Sequence, residues 1–143
     1  VAEVGFRYDS SLSRGLGQGD RGNPTRASRI AWGDGLQILE FPPLTYGGSL
    51  RLPASGWTGR LQAPGVLARA ADRHRRAGGL PVAVVHPWEL DEGTTPGEFS
   101  GLARFMHDAG RRTFRPKFQA LCRAQPWDTV RNAARLEGPA HRE

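Results

Sequence analysis

The segment from Leu80 to Asp91, Leu-Pro-Val-Ala-Val-Val-His-Pro-Trp-Glu-Leu-Asp, constrains the fold more than any other part of this chain. Its first residues form a short, largely β-branched apolar run between Gly78-Gly79 and Pro87. Such a run predicts a strand that is buried on both faces, and strands of this kind belong to parallel sheets. In parallel α/β folds, binding and catalytic side chains follow the carboxyl ends of the strands. We therefore expect an α/β chain in which His86, at the end of the run, belongs to a functional site.

The rest of the chain indicates a single domain. A length of 143 residues is enough for one hydrophobic core, and we expect a domain over residues 1–137 with a disordered tail over 138–143. The single cysteine, Cys122, excludes an internal disulfide and a Cys-rich zinc site. No segment has the roughly 18–20 apolar residues that a membrane span requires. No signal peptide is visible, and the compartment stays open.

The net charge of +6 is typical of proteins that bind nucleic acid. Only Lys117 is a lysine among the 20 Lys and Arg residues, and the arginines are spread along the whole chain. No helix-turn-helix or RNA-binding aromatic motif accompanies them. We therefore expect no specific nucleic-acid partner. An Arg-rich nucleic-acid binder remains an alternative, which a steep salt dependence of DNA binding would support.

Local patterns predict short elements separated by turns. We expect strands at residues 6–9, 36–41 and 80–86, an extended piece at 50–53, and helices at 66–77, 98–108 and 116–123. The helix at 66–77 is the best delimited, since Pro64 precedes it and Gly78-Gly79 follows it. Residues 13–35 are rich in Gly, Ser, Arg and Asn, which predicts a long irregular loop. Residues 57–65 indicate no defined element.

Two residues are candidates for acid–base chemistry. A histidine at a strand end, His86, suits proton transfer near neutral pH; the alternative is a core histidine bonded to a neighbouring carbonyl. Asp9 ends a short strand before Ser10-Ser11, and a carboxylate can orient and tune an imidazole. The alternative for Asp9 is an Asx turn. No nucleophile-elbow sequence surrounds either serine, which argues against a serine hydrolase.

The remaining aromatic and histidine residues have less specific interpretations. Trp88 and Tyr46 are candidates for an apolar wall beside a sugar ring or an acyl methyl, or are packing residues. His74 and His107 are expected on the surface of helices. The sequence contains no His-x-x-x-His, His-Glu-x-x-His or Asp-Asp pattern, so no complete zinc site is visible.

Four blocks of the sequence, in order and in spacing, resemble the polysaccharide deacetylases of the NodB-homology type. They are Gly5-Phe-Arg-Tyr-Asp-Ser-Ser11, Leu39-Glu-Phe-Pro42, Gly47-Gly-Ser-Leu-Arg-Leu-Pro53 and Val85-His-Pro-Trp-Glu-Leu-Asp91. The subgroup that they resemble is associated with bacterial exopolysaccharide and exosortase gene clusters. Two stretches near the end, Phe105–Gly110 and Phe118–Cys122, are also similar to that subgroup.

The resemblance implies a deformed (β/α) barrel that removes acetyl groups from N-acetylated polysaccharides. In that family a divalent metal, usually zinc, activates a water, and an aspartate acts as the base. His86 matches the late histidine that protonates the departing amine, and Asp9 matches the aspartate that orients it. Val84 stands where the family often has a leucine beside the acetyl methyl. By position alone, Trp88 and Arg51 are the expected sugar contacts.

The resemblance also implies that part of the site lies outside this sequence. The family's Asp-Asp pair, His-x-x-x-His ligands and Arg-Pro strand do not precede the Tyr8-Asp9-Ser10-Ser11 block. We therefore expect the C-terminal part of a deacetylase barrel, without metal ligands or base, and inactive by itself. A non-catalytic remnant or a carbohydrate-binding module is the alternative, and an absence of deacetylation would favour it.

Overall fold

The computed structural model describes residues 5–15, 18–20, 22–32, 35–91, 93, 97 and 99–136. The helices in this part of the chain are α1 (Gly56–Leu61), α2 (Pro64–Arg76), α3 (Pro87–Leu90), α4 (Gly101–Asp108), α5 (Arg111–Ala124) and α6 (Val130–Leu136). Its strands are β1 (Tyr8–Asp9), β2 (Arg14–Gly15), β3 (Gln18–Gly19), β4 (Ser28–Trp32), β5 (Leu36–Glu40), β6 (Thr45–Tyr46) and β7 (Leu52–Pro53). The expected tail over 138–143 lies outside the described residues.

A three-stranded sheet in the order β1-β5-β4 organises the first half of the chain. β1 runs parallel to β5, with Asp9 opposite Glu40, whereas β4 pairs antiparallel to β5. β2–β3 and β6–β7 form two small antiparallel pairs. Because parallel strands end at the same edge of a sheet, Asp9 and Glu40 come to lie side by side.

The segment after α2 differs from the strand predicted at 80–86. Only Val82 pairs, through an isolated parallel bridge to Pro43, and the amide of Leu44 donates to the Val82 carbonyl at 2.9 Å. Residues 80–85 are half-buried. The parallel direction is confirmed, but a regular strand buried on both faces is wrong. Prolines at 43 and 81 have no N–H to donate, so a continuous ladder cannot form.

The long irregular loop predicted over 13–35 is also wrong, because β2, β3 and β4 lie within it. β4 is defined by its partner, since Ile30 pairs with Ile38 of β5 in a register that local composition does not reveal. The stretch at 57–65, for which no element is predicted, contains all of α1 except Gly56, and the start of α2. The predicted helices at 66–77, 98–108 and 116–123 correspond to α2, α4 and α5, and α5 begins earlier than predicted.

The core lies where α2 packs beside β6. Leu67, Ala70 and Ala71, spaced three and four residues apart, are the buried face of α2. Ala70 and Ala71 pack with Leu44, next to Tyr46 and Ala54. The expected α/β class is confirmed as a mixture of helices and small sheets, and the barrel stays a prediction. Among the described helices, none is both long and apolar enough to cross a membrane.

Candidate functional site

His86 stands at the start of α3, directly after the extended segment that contains Val82. It is the N-cap residue, Pro87 occupies the first turn, and the histidine is exposed. The carboxylate Oε2 of Glu89 accepts the N–H of His86 at 2.9 Å. In return, the carbonyl of His86 accepts the N–H of Glu89 at 2.9 Å. These reciprocal bonds fix the backbone of His86 on both sides, as a capping box does.

The indole of Trp88 lies between several cationic or titratable groups. The His86 ring stacks on it with centroids 6.0 Å apart and an interplanar angle of 11°. His107 stacks at 4.7 Å and 8°. The guanidinium carbons of Arg60 and Arg111 lie 5.0 and 5.8 Å from the ring centroid. Trp88 therefore packs against the protein itself, and its predicted contact with a sugar stays a prediction.

Beneath this stack lies a buried ion pair between Arg60 of α1 and Glu89 of α3. Arg60 Nη1 donates to Glu89 Oε1 at 2.7 Å, and the two side chains are 1% and 0% exposed. Burial lowers the pKa of Arg60, and the charge of Glu89 opposes that shift. Arg60 also donates to the carbonyls of Met106, His107 and Ala109. It thereby satisfies carbonyls at the C-terminal end of α4 that lack a helical partner.

His107 and Asp108 form a second pair of oppositely charged or titratable side chains, in addition to Arg60 and Glu89, beside Trp88. His107 Nδ1 lies 2.8 Å from Asp108 Oδ1, and the His107 side chain is 14% exposed. The hydrogen bond with His107, followed by that from Arg104, holds the pKa of Asp108 below its usual range. The expectation of a surface position for His107 is wrong, because Trp88 covers one face of its ring.

The surface position expected for His74 is also wrong. His74 is half-buried on α2, and burial lowers the pKa of its ring. The chain turns back directly over it, since the N–H of Gly79 donates to the His74 carbonyl at 2.9 Å. A Cβ at position 79 would lie 2.3 Å from His74 Nε2, so the imidazole would have to move if this residue were not glycine.

Asp9 and Glu40 form a pair of carboxylates at the carboxyl edge of the parallel strands. Ser11 Oγ donates to Asp9 Oδ1 at 2.9 Å, and the N–H of Leu12 donates to Glu40 Oε1 at 2.9 Å. Glu40 is 1% exposed. Burial raises the pKa of Glu40, and the nearby charge of Asp9 adds to the increase. Ser10 Oγ donates to the Phe41 carbonyl at 2.6 Å, which ties this loop to β5.

The predicted site residues fall into three places in the described structure. His86 and Trp88 lie together, and Val84 is half-buried two residues earlier in the extended segment. Asp9 lies at the end of β1, and no hydrogen bond joins it to His86 in the part of the chain that the structure describes. The predicted partnership of Asp9 with His86 therefore stays a prediction.

Arg51 follows the 3-10 turn Gly48–Leu50 and has left-handed backbone angles, φ 47 and ψ 53. Its Nη1 is buried, and no hydrogen-bond partner for that atom is present among the described residues. The turn connects β6 to β7. The predicted sugar contact of Arg51 stays a prediction.

A model of a protein family matches residues 13–135, and its description is "Domain of unknown function (DUF3473)". The chain belongs to the DUF3473 family. The DUF3473 match includes Glu40, Arg51, Arg60 and the whole turn from His86 to Glu89, whereas Asp9 precedes it. Neither the curated proteins nor the solved structures include a significant match to this chain.

Sequence reasoning about this DUF3473 chain misses four residues of the site, which are Glu40, Arg60, Glu89 and His107. Glu40 could have been found, because it ends the strand next to that of Asp9. Glu89 lies within the quoted His-Pro-Trp-Glu motif, but no role was predicted for it. Nothing local identifies Arg60, since the partners of its side chain lie 29 to 49 residues away along the chain.

Proposed function

We propose that this chain contributes the general acid of a carbohydrate N-deacetylase that acts on N-acetylated polysaccharide in exopolysaccharide biosynthesis. The observation that carries the proposal is the turn from His86 to Glu89, where an exposed imidazole stands on a backbone fixed by reciprocal hydrogen bonds. DUF3473 domains are associated with polysaccharide deacetylases. The resemblance of four sequence blocks to that family supports the same activity.

The proposed reaction needs a proton donor because an amine anion is a very poor leaving group. Water loses a proton to the aspartate base that the resemblance implies and adds to the acetamide carbonyl, and the C–N bond of the tetrahedral intermediate then breaks. The imidazolium of His86 donates its proton to the nitrogen as that bond breaks, which gives acetate and a free amine. His86 is neutral afterwards and regains a proton from solvent for the next turnover.

The resemblance implies a divalent metal, and the described residues do not fit one. None of their His, Cys, Asp and Glu side chains form a group of three that could hold a metal ion. We therefore assign no metal ligand here, and we derive only the proton transfer by His86.

Asp9 and the substrate contacts complete the proposal. Asp9 is proposed as the carboxylate that orients His86 when substrate is bound. Val84 would line the acetyl methyl, and Trp88 and Arg51 would contact the sugar. The parallel run of β1, β5 and the segment around Val82 is what we would expect from strands of a deformed (β/α) barrel.

Acetate release from N-acetylated oligosaccharides by the complete natural gene product tests this function. We expect His86→Ala to lower kcat by roughly 100-fold or more, which is the usual contribution of a general acid. His74→Ala, a half-buried histidine on α2, is the matched control and should keep its turnover. Oligosaccharide binding without acetate release by the natural protein would contradict the enzyme and favour a carbohydrate-binding module.

A further inference from the structure

His86 is exposed, but the two side chains that fix its backbone, Glu89 and Arg60, lie in the interior of the protein. Glu89 uses both carboxylate oxygens, since Oε2 accepts the His86 N–H at 2.9 Å and Oε1 accepts Arg60 Nη1 at 2.7 Å. The Glu89 and Arg60 side chains are almost completely buried, so neither can reach a substrate. Any influence that they have on the reaction must therefore pass through the residues that they contact, which are His86, bonded to Glu89, and Trp88, beside Arg60.

Arg60 has a single orientation because its donors are engaged on several sides. Nε donates to the Ala109 carbonyl at 2.9 Å. Nη2 donates to the Met106 carbonyl and, at 3.1 Å, to the His107 carbonyl. Lys117 Nζ of α5 donates to the backbone carbonyl of Arg60 at 3.0 Å. The arginine thus connects the His86 turn to the end of α4 and to α5.

We infer that Arg60 and Glu89 are positioning residues that determine where the His86 ring stands. The inference rests on the proposed function, in which His86 delivers the proton. Glu89 accepts the backbone N–H of His86, and Arg60 donates to Glu89 and fixes its carboxylate. The His86 ring then stacks on Trp88 with the ring centroids 6.0 Å apart and an interplanar angle of 11°. A displaced ring would still be an imidazole but would not meet the departing nitrogen.

Proton NMR of this chain tests the inference without an activity assay. The ring current of an indole shifts the proton signals of a ring that lies against it, and the sequence has only four histidines to assign. In the double variant Arg60→Met/Glu89→Leu, apolar side chains replace the buried pair, an exchange that proteins often tolerate. We expect the His86 protons of the folded variant to move toward the shifts of an unstructured histidine. An unchanged His86 shift in a variant with native circular dichroism would overturn the inference.

Two further comparisons keep the test decisive. Asp108→Asn should move the His107 signals but leave those of His86, because Asp108 contacts only the former ring. Glu89→Gln keeps an oxygen that can accept the His86 N–H, whereas Glu89→Ala does not, and both leave Arg60 unpaired. If the double variant unfolds, Glu89→Gln should preserve the ring-current shift of His86 and Glu89→Ala should lose it. Equal His86 shifts in these two single variants, with native circular dichroism in both, would contradict the positioning role.

Kinetics of the complete natural protein separate this inference from the proposed function. The double variant should lower kcat by roughly 100-fold with KM unchanged, since only the transition state requires the aligned ring. Glu89→Gln should restore most of the rate that Glu89→Ala loses. If the natural protein releases no acetate, the deacetylase proposal fails, while the NMR comparison still decides whether Arg60 and Glu89 position the ring.

Discussion

At the scale of single residues, Arg51 combines two unfavourable features. It is the only non-glycine residue with positive φ in the described structure, and its Nη1 is buried without a partner. Residues with strained backbone angles cluster at functional sites. The two features are consistent with the sugar contact proposed for Arg51.

Replacing Arg51 by glycine separates the strain from the side chain. Glycine adopts left-handed angles without a steric penalty, so we expect Arg51→Gly to exceed Arg51→Ala in free energy of unfolding by about 1 kcal/mol. Urea denaturation measures this difference. Both variants should bind N-acetylated oligosaccharide more weakly in calorimetric titration. Unchanged affinity in both would contradict the contact between Arg51 and sugar.

Glu40 is a second residue in an unfavourable position, because its carboxyl is buried and its charged form loses hydration. Burial raises its pKa above the ordinary value of 4.5. Below that ordinary value, the carboxyl is protonated in both the folded and the unfolded chain. As pH rises, the carboxyl of the unfolded chain ionises first. The free energy of unfolding therefore falls as pH rises from the ordinary pKa to the folded-state pKa of Glu40, and it stays at the lower value above that pKa.

Glu40→Gln should remove this loss of stability. The glutamine oxygen can still accept the Leu12 N–H, and it carries no charge to desolvate. The variant's free energy of unfolding, relative to the natural protein, should therefore be higher at pH 7 than at pH 4. Urea denaturation at both pH values measures the difference, with Asp72→Asn on the exposed side of α2 as control. A relative stability of Glu40→Gln that falls between pH 4 and pH 7 would contradict the raised pKa.

At the scale of elements, the approach of α1 to the preceding loop depends on a glycine. A Cβ at Gly59 would lie 2.6 Å from the Ala54 carbonyl oxygen, which belongs to the backbone and cannot rotate away. At Gly65 in the first turn of α2, the nearest atom would be Arg69 Nη1 at 3.5 Å, an ordinary contact. The same substitution should therefore have opposite effects in the two helices.

We expect Gly59→Ala to destabilise the protein by roughly 1–3 kcal/mol through overpacking. Gly65→Ala should stabilise it by about 0.5 kcal/mol, because alanine restricts the unfolded chain and favours helix. Thermal unfolding followed by circular dichroism compares them. Equal melting temperatures for the two variants would show that the packing of α1 against Ala54 is looser than described.

The elements that sequence predicts well are those with local signals. α2 was recoverable because Pro64 starts it and Gly78, with φ 78, follows it. β4 was not, because its pairing with β5 decides its structure and its composition resembles a loop. The strand predicted at 80–86 is wrong because Pro81 already interrupts the run and because the run does not reveal that Val82 pairs with Pro43.

At the scale of the whole molecule, the buried pair of Arg60 and Glu89 joins α1, α3 and the end of α4. Removing one charge leaves the other buried without compensation, so Arg60→Met should cost roughly 3–5 kcal/mol of unfolding free energy. Asp72→Asn breaks the Arg75–Asp72 pair, whose side chains are 30% and 42% exposed, and should cost no more than about 1 kcal/mol. Urea titration of both variants checks the contrast. Comparable losses would mean that Arg60 does not connect the helices energetically.

The candidate site was predictable only in part for the same reason. His86 and Trp88 follow from a contiguous motif, and their proximity needs no tertiary information. Arg60, by contrast, reaches the motif only after α1, α4 and α5 have packed. Sequence therefore predicts the group that would carry the proton but not the side chains that hold it.

The central claim is that His86 protonates a leaving nitrogen, and comparison of two leaving groups tests it most directly. The complete natural protein and His86→Ala would be assayed with an N-acetylated oligosaccharide and with 4-nitrophenyl acetate, whose phenolate departs without a proton. We predict that the variant loses roughly 100-fold or more in kcat on the amide but little on the ester. Equal losses on both substrates, or no amide hydrolysis by the natural protein, would contradict the claim.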